Sequence, residues 1–284
     1  MKNFALIGLA GFIAKKHVNC ISLLNGKIVA ALDMHDNVGF IDSYFTNCKF
    51  FKDENYFFSY LSKSKIDYAI ICSPSYLHFK HIKKSLLSKC NVIVEKPPLL
   101  NSYQLNIIEK LEKTTKKNCH CIFQLREDKR LIKLKKKLQI KKTINTVKIN
   151  YFTKRGLWYQ KSWKNNKKLS GGLLINIGIH FVDILIWLFG DLKKIKILKK
   201  NNKHIKGEFI LDYAKVDWDL SISNINKSYN KKKYHREMTI NKHKINFNKF
   251  NNLHLDNYKS IIFEKKYRIG EFKDLLKNID DLKI

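Results

Sequence analysis

The stretch "ALIGLAGFIA" sets Gly8, Gly11 and Ala14 between an apolar run and a helical pattern. Glycine at such a turn lets the backbone fold tightly and approach a pyrophosphate, whose charge then meets the N-terminus of the following helix. The spacing is G-x-x-G-x-x-A rather than G-x-G-x-x-G, and alone it fits a plain strand-to-helix turn equally well. Asp33 adds weight, because it ends the run "KIVAALD" 22 residues after Gly11. A carboxylate there accepts hydrogen bonds from an adenine ribose and repels the extra phosphate of NADP. A strand-end turn residue would also be acidic, but strand, glycine turn, helix, strand and acid in this order predict NAD as cofactor.

Three more stretches offer polar groups. In "CSPSYLH", Cys72 to His78, a buried apolar run ends at Ser73 and Pro74, which should face the cofactor because ligands of open α/β sheets sit beyond the carboxyl ends of strands. His78 reads there as a helix-surface or packing residue. In "VEKPP", Lys96 ends a neighbouring strand and should point toward the same crevice, although a lysine in so basic a chain is also an ordinary solvated charge. In "SGGLLINIGIHFVDILIWLFG", Ser170 to Gly190, no lysine occurs, as expected where an unpaired ammonium would be buried. His180 in that run reads first as a satisfied core histidine, and Asp183 as a structural partner.

The elements that must position these groups follow from periodicity. "FALIG", Phe12 to Leu24, "KIVAALD", "DYAIICS", Tyr76 to Ser88 and "NVIVEK" alternate short apolar runs with helical patterns, which predicts βαβ units and a parallel sheet. Ser102 to Lys117 reads as a helix with Ser102 as N-cap, and "CHCIFQL" as the last strand of that sheet. Beyond residue 120, "TVKINYFTKR" and "DWDLSIS" alternate apolar with polar residues, which predicts antiparallel strands with one buried face. The expected domains are therefore 1–120 and 121–284. "KKNNKHIKGEF" and "SYNKKKYHREM" read as charged hairpins.

The chain has 284 residues and a formal net charge of +32, which invites a nucleic-acid reading. Only five of its 56 basic residues are arginine, and lysine, asparagine and isoleucine are raised together, as an AT-rich genome would produce. Lysines spread along the whole chain describe a solvated basic surface, so no specific nucleic acid is expected. The six cysteines show no zinc spacing, so no metal is expected and reduced thiols are. No leader pattern and no apolar run of roughly 18 residues is read, so a soluble, cytoplasmic protein without membrane attachment is expected.

Together the glycine turn, "EKP" and "GGLLINIGIH" resemble the Gfo/Idh/MocA family of nicotinamide-dependent sugar oxidoreductases, and within it the WlbA/WbpB-type UDP-N-acetylglucosaminuronate 3-dehydrogenases. "NFALIGLAGFIAKKH", "IDYAIICSPSYLH", "VEKPPLLN", "FQLR" and "RGLWYQKSWK" carry the likeness over most of residues 3 to 190. It implies a Rossmann dinucleotide-binding domain followed by an α/β domain with an open, largely antiparallel sheet. It also implies NAD(H), a UDP-linked uronic acid substrate, and a homo-oligomer, a tetramer, built through the second domain's sheet.

The resemblance also places residues. Phe12, Ile13, Leu77, His78, Glu95, Lys96 and Gln124 join Gly8, Gly11, Asp33, Ser73 and Pro74 along the cofactor. Lys96 and His180 become the catalytic pair, and Arg155, Tyr159, Lys164, Asn176 and His254 join them as substrate ligands. Many relatives have aspartate where this chain has Asn176; the WlbA-like branch has asparagine. Oxidising a secondary alcohol requires a base for the hydroxyl proton and a group that tolerates developing alkoxide, which suits His180 and the Lys96 ammonium in turn. Trp158 and Trp163 could stack on uracil, or serve as core. A dehydrogenase of another sugar and a noncatalytic NAD-binding regulator share the same signals.

Overall fold

The computed structural model describes residues 1–140, 143–223, 234–248 and 253–281. The chain forms two compact units. In the first, β1 (Asn3–Ile7), α1 (Ala14–Leu23), β2 (Lys27–Leu32), β3 (Lys49–Phe51), α2 (Glu54–Lys63), β4 (Tyr68–Ile71), α3 (Ser75–Leu87), β5 (Asn91–Val94), α4 (Ser102–Thr115) and β6 (Cys119–Cys121) follow in turn. Their sheet has the order β3-β2-β1-β4-β5-β6 and every pairing is parallel. The central strands are buried on both faces, which is why they read as unbroken apolar runs. The strand order reverses direction between β1 and β4, and the crevice at that point is where such sheets take dinucleotides. Asn101, not Ser102, caps α4: its side-chain oxygen accepts from Gln104 N at 2.9 Å.

The second unit contains α5 (Lys129–Ile140), β7 (Asn145–Thr153), α6 (Leu157–Lys161), α7 (Lys167–Ser170), α8 (Ile179–Phe189), β8 (Leu192–Lys200), β9 (His204–Leu211), β10 (Ala214–Ser221), β11 (Tyr234–Ile240) and β12 (His243–Asn246). Its sheet runs β12-β11-β7-β10-β9-β8 and is antiparallel except at one place. That place is β7 with β10, the two strands whose alternation suggested an antiparallel sheet; they pair in parallel, because the chain between them crosses over through α8 and the β8–β9 hairpin. Alternation reports a half-buried face and not a direction. The β8–β9 hairpin is the charged one expected, while residues 228–233 of the second expected hairpin lie outside the described residues.

Helix α8 lies on the sheet's apolar face. Its Phe181 ring is 6.2 Å from Trp218 of β10, 6.4 Å from Phe209 of β9 and 5.8 Å from Tyr151 of β7. The helical run Lys167–Phe189 is, contrary to the expectation from sequence, long and apolar enough to cross a membrane by length and composition. Its apolar side chains are used otherwise: 72% of that window is buried inside the fold. Each fully buried leucine or isoleucine there contributes about 2 kcal/mol.

The chain passes from the first unit to the second after Gln124 and later returns. Met1–Gln124 is joined by His254–Lys273, and Leu125–Leu253 by Asp274–Ile284. The return is made by α9 (Leu253–Glu264), whose Tyr258 and Ile261 are fully buried. It is locked by Phe123 stacked on Phe272 at 4.3 Å, by His120 Nδ1 at 2.7 Å from Lys266 O, and by Arg268 on Glu112 at 3.0 Å. The last helix, α10 (Lys273–Asp281), ties to the second unit through Asn278, which donates to Leu192 O at 2.9 Å.

Candidate active site

The glycine turn of the first unit is built by close approach. Gly8 has φ +90°, and a Cβ there would lie 2.6 Å from Ser73 N and 2.7 Å from the Cys72 carbonyl carbon. Gly11 would bring a Cβ to 3.1 Å from Gly8 O. These glycines therefore let the end of β1 meet the end of β4, in addition to leaving space above the turn. Replacing Gly8 with alanine is expected to cost at least about 2 kcal/mol, from positive φ plus a backbone clash that cannot relax, and to weaken NADH binding. Thermal unfolding and a fluorescence titration check both; an unchanged melting temperature would contradict the packing account.

The residues fit a dinucleotide. Helix α1 starts without a side-chain cap and without an acid in its first turn, so no side-chain charge offsets an N-terminal dipole that suits a diphosphate. Asp33 stands at the end of β2 with Oδ2 accepting from Ala10 N at 2.9 Å and Oδ1 from His35 N at 3.0 Å. Its carboxylate braces the glycine turn and keeps further lone pairs for ribose hydroxyls. Phe12 is fully exposed at the turn's tip, with Ile13 half-buried at the helix start.

At the ends of β4 and β5 the side chains are more committed than expected. His78 is 1% exposed and sits 2.8 Å from both Pro97 O and Ser73 O, so of the two readings it is the packing residue and not the helix-surface one. Burial pushes its pKa down to about 4, so the ring is neutral and donates through one nitrogen at a time. Ser73 Oγ lies 2.8 Å from His81 Nδ1, and Pro74 is the N-cap of α3, with Leu77 half-buried one turn in. Lys96 and Gln124 are half-buried, at the ends of β5 and just past β6.

Glu95 and His254, expected along cofactor and substrate, are packed against each other. His254 is 6% exposed and its Nε2 lies 3.7 Å from Glu95 Oε1. The same carboxylate oxygen is 3.0 Å from His17 Nε2. Sequence reasoning passed over His17, although its place on the stripe Ala14, His17, Val18 and Ile21 marks it as inward-facing.

In the second unit, four expected substrate ligands come together. Asn176 donates to Tyr159 Oη at 3.4 Å and to Lys164 O at 3.3 Å. Tyr159 lines two pockets, one of about 170 Å³ with Lys154, Arg155 and Lys203, the other of about 320 Å³ with Lys164, Lys167 and Lys200. Among the described residues no carboxylate lines either pocket. Burial and the charge of Arg236 depress Arg155; burial and the charge of Arg155 depress Lys164; burial and Lys167 depress Lys200. Mutually repelling cations around an acid-free cavity make a site that gains most from an anion. The Lys164 ammonium lies 5.3 Å from the Trp158 ring and 5.6 Å from Trp163, so these indoles hold a cation.

His180 is half-buried, second residue of α8, directly after a single π-helical turn over Leu174–Gly178 that includes Asn176. Such turns recur where a helix must re-aim a functional side chain. Gly171 and Gly172 both take φ +75° and open the segment. Asp183, one turn further, is 3% exposed and receives Arg126 through Nε at 3.1 Å and Nη2 at 2.6 Å. It is the structural partner that its setting suggested.

A parallel sheet with a glycine turn and a strand-end acid, followed by a largely antiparallel sheet, is the architecture of a NAD-dependent oxidoreductase. The chain belongs to the Gfo/Idh/MocA family of NAD-dependent oxidoreductases: residues 2–123 match its NAD-binding Rossmann fold and residues 137–245 its C-terminal α/β domain. It is similar to the WlbA (WbpB) dehydrogenase of Thermus thermophilus, solved with NAD and UDP-GlcNAcA, with 33% identity and TM-score 0.95 over 100% of this chain and 95% of that one. The WlbA dehydrogenase of Bordetella pertussis shares the fold at 17% identity and TM-score 0.82, over 99% and 95% of the two chains. The Bacillus subtilis protein YteT, described as an oxidoreductase, is 27% identical over 142 residues, 49% of this chain and 33% of that protein. The chain thus matches about a third of that relative's length.

Proposed function

We propose that this protein oxidises the 3-hydroxyl of UDP-N-acetylglucosaminuronate to the 3-keto sugar with NAD as acceptor. The observation that carries the reading is the pair of cationic pockets that share Tyr159, one lined by Arg155 and the other by Lys164, which suit a ligand bearing a diphosphate and a carboxylate. The Thermus neighbour supports it, having been crystallised with that sugar nucleotide and, separately, with α-ketoglutarate, also a carboxylate.

Gly8, Gly11, Asp33, Ser73 and Pro74 would hold NAD, whose nicotinamide would supply the hydride acceptor for the sugar carbon. His180 takes the hydroxyl proton on a ring nitrogen, and the Lys96 ammonium hydrogen-bonds the same oxygen while it carries negative charge. The C–H and O–H bonds break, a C=O bond forms, and one proton is left on the protein. Tyr159 and Asn176 orient the sugar, and Arg155 and Lys164 meet its charges. The natural setting of such a reaction is cytoplasmic sugar-nucleotide synthesis for a surface polysaccharide, by a homo-oligomer.

Mixing the protein with NAD and UDP-N-acetylglucosaminuronate should generate reduced nicotinamide absorbance and a product two hydrogens lighter by mass spectrometry. NAD binding without reduction by any UDP-uronate would rule out the substrate and leave the cofactor.

A further inference from the structure

The first unit buries a carboxylate among histidines. Glu95 has 11% of its side chain exposed and stands just past β5, next to Lys96. His17 of α1 approaches Oε1 at 3.0 Å, His254 of α9 reaches 3.7 Å from the same oxygen, and Oε2 accepts from the Lys96 backbone N–H at 3.2 Å. Tyr258, four residues after His254 and so on the same face of α9, places its hydroxyl 2.7 Å from His17 Nδ1. His17 and Tyr258 are completely buried.

Hydrogen-bond directions follow from the chemistry of the groups. Burial works to raise Glu95, yet the two histidines hold it well below the usual carboxylate range, so it is ionised and only accepts. His17 therefore donates from Nε2, and its Nδ1 accepts from Tyr258, whose phenol burial keeps protonated. The line runs from Tyr258 through His17 and Glu95 to the main chain of Lys96.

We infer that His17, His254 and Tyr258 are positioning residues for Lys96, acting through Glu95, so that the returning helix α9 sets the geometry of the lysine. The inference rests on the proposed role of Lys96. A buried ion costs several kcal/mol unless its partners are fixed, and glutamine of the same shape would bind the Lys96 N–H without that cost. The charge is retained where it stiffens one place, the backbone carrying the lysine. Three ligand atoms within 4.8 Å of one another also outline a metal site. The hydrogen bond is the better account, because a metal would need the His17 Nε2 lone pair, and that nitrogen already faces a carboxylate at hydrogen-bonding distance.

The test compares His17→Leu, His17→Gln and Tyr258→Phe with the parent protein. Three readouts are used: turnover at saturating NAD, NADH affinity by fluorescence, and acetylation of Lys96 by acetic anhydride followed by peptide mass spectrometry. His17→Leu should lower kcat about a hundredfold, as a misplacement near 1 Å does, with NADH affinity kept and Lys96 acetylation changed severalfold. His17→Gln, which restores an N–H donor, should recover most of both. Tyr258→Phe should shift both in the same direction by less.

Unchanged kcat and Lys96 labelling in folded His17→Leu would overturn the inference, as would parallel loss of NADH binding or a divalent metal retained at one per chain. If His17→Leu does not fold, Tyr258→Phe decides: a parent-like kcat and labelling pattern sinks the proposal. Acetylation of Lys96 needs no substrate, so a parent protein that fails to turn over would indict the proposed reaction and not the positioning.

Discussion

Lys96→Met is expected to lower kcat by about 10²–10⁴-fold while the protein still binds NADH, and His180→Asn should do the same. Methionine keeps the length and much of the apolar stem of lysine but removes the ammonium that would meet the developing alkoxide. Asparagine keeps a polar group near the ring's place but cannot take a proton at neutral pH. The two losses differ in their pH dependence. If His180 is the base, as proposed, an acid-side fall of kcat/KM in the parent protein should vanish from the residual activity of His180→Asn, yet persist in Lys96→Met. Lys96→Arg keeps the charge but replaces a compact ammonium with a planar fork, and should recover little. Steady-state kinetics across pH, with NADH titrations as the control for folding, provide the check. An enzyme that keeps its rate without both side chains would remove them from the mechanism, and one that loses NADH binding would make them cofactor ligands instead.

How far the fold could be read from sequence depended on the kind of burial. Strands β1, β4 and β5 are buried on both faces and stand out as apolar runs, so the parallel sheet was legible together with the glycine turn and Asp33. Strand β3 has three residues, Lys49, Phe50 and Phe51, and lies largely exposed at the sheet's edge, so no periodicity marked it or the helix α2 that follows. In the second unit, alternation in β7 and β10 gave the buried face, but the direction of their pairing is decided by the crossover between them.

The site divided along the same line. Arg155, Tyr159, Lys164 and Asn176 lie in one continuous stretch, and a motif gathers them. The cluster on Glu95 draws on residues up to 241 positions apart, His17 and Tyr258, and no local pattern could join them. What the sequence did contain was the stripe that turns His17 inward and the i, i+4 spacing that puts His254 and Tyr258 on one face. The partner those faces share is fixed only when α9 returns to the first unit. His78 was left open between surface and packing for a related reason: a histidine near the start of a helix shows which it is only when the two carbonyls it spans are seen.

Asp183→Asn is expected to destabilise the second unit by about 3–5 kcal/mol, a large part of the 5–15 kcal/mol that holds a typical domain together. Arg126 and Asp183 are 6% and 3% exposed, and the guanidinium reaches the carboxylate through both Nε and Nη2. The neighbouring α8 residues Val182, Ile184 and Leu185 are almost wholly buried and apolar, so Asp183 stands in a buried stretch of the helix. An amide in place of the carboxylate turns one acceptor into a donor that faces the guanidinium and removes the charge that Arg126 meets through Nε and Nη2. Arg126→Met should cost a similar amount by taking both of these donors from the Asp183 carboxylate. The pair Arg126→Met with Asp183→Leu should recover most of the loss, since apolar groups of similar volume need no counter-charge. Urea unfolding of the four proteins tests this; single variants within about 1 kcal/mol of the parent would place the pair among ion pairs of no consequence. Asp183 lies three residues after His180 on α8, so any change that loosens this anchor also frees the helix carrying the proposed base. Asp183→Asn should therefore lower kcat even at temperatures where the protein remains folded, and the double variant should show whether packing alone is enough to hold His180 in place.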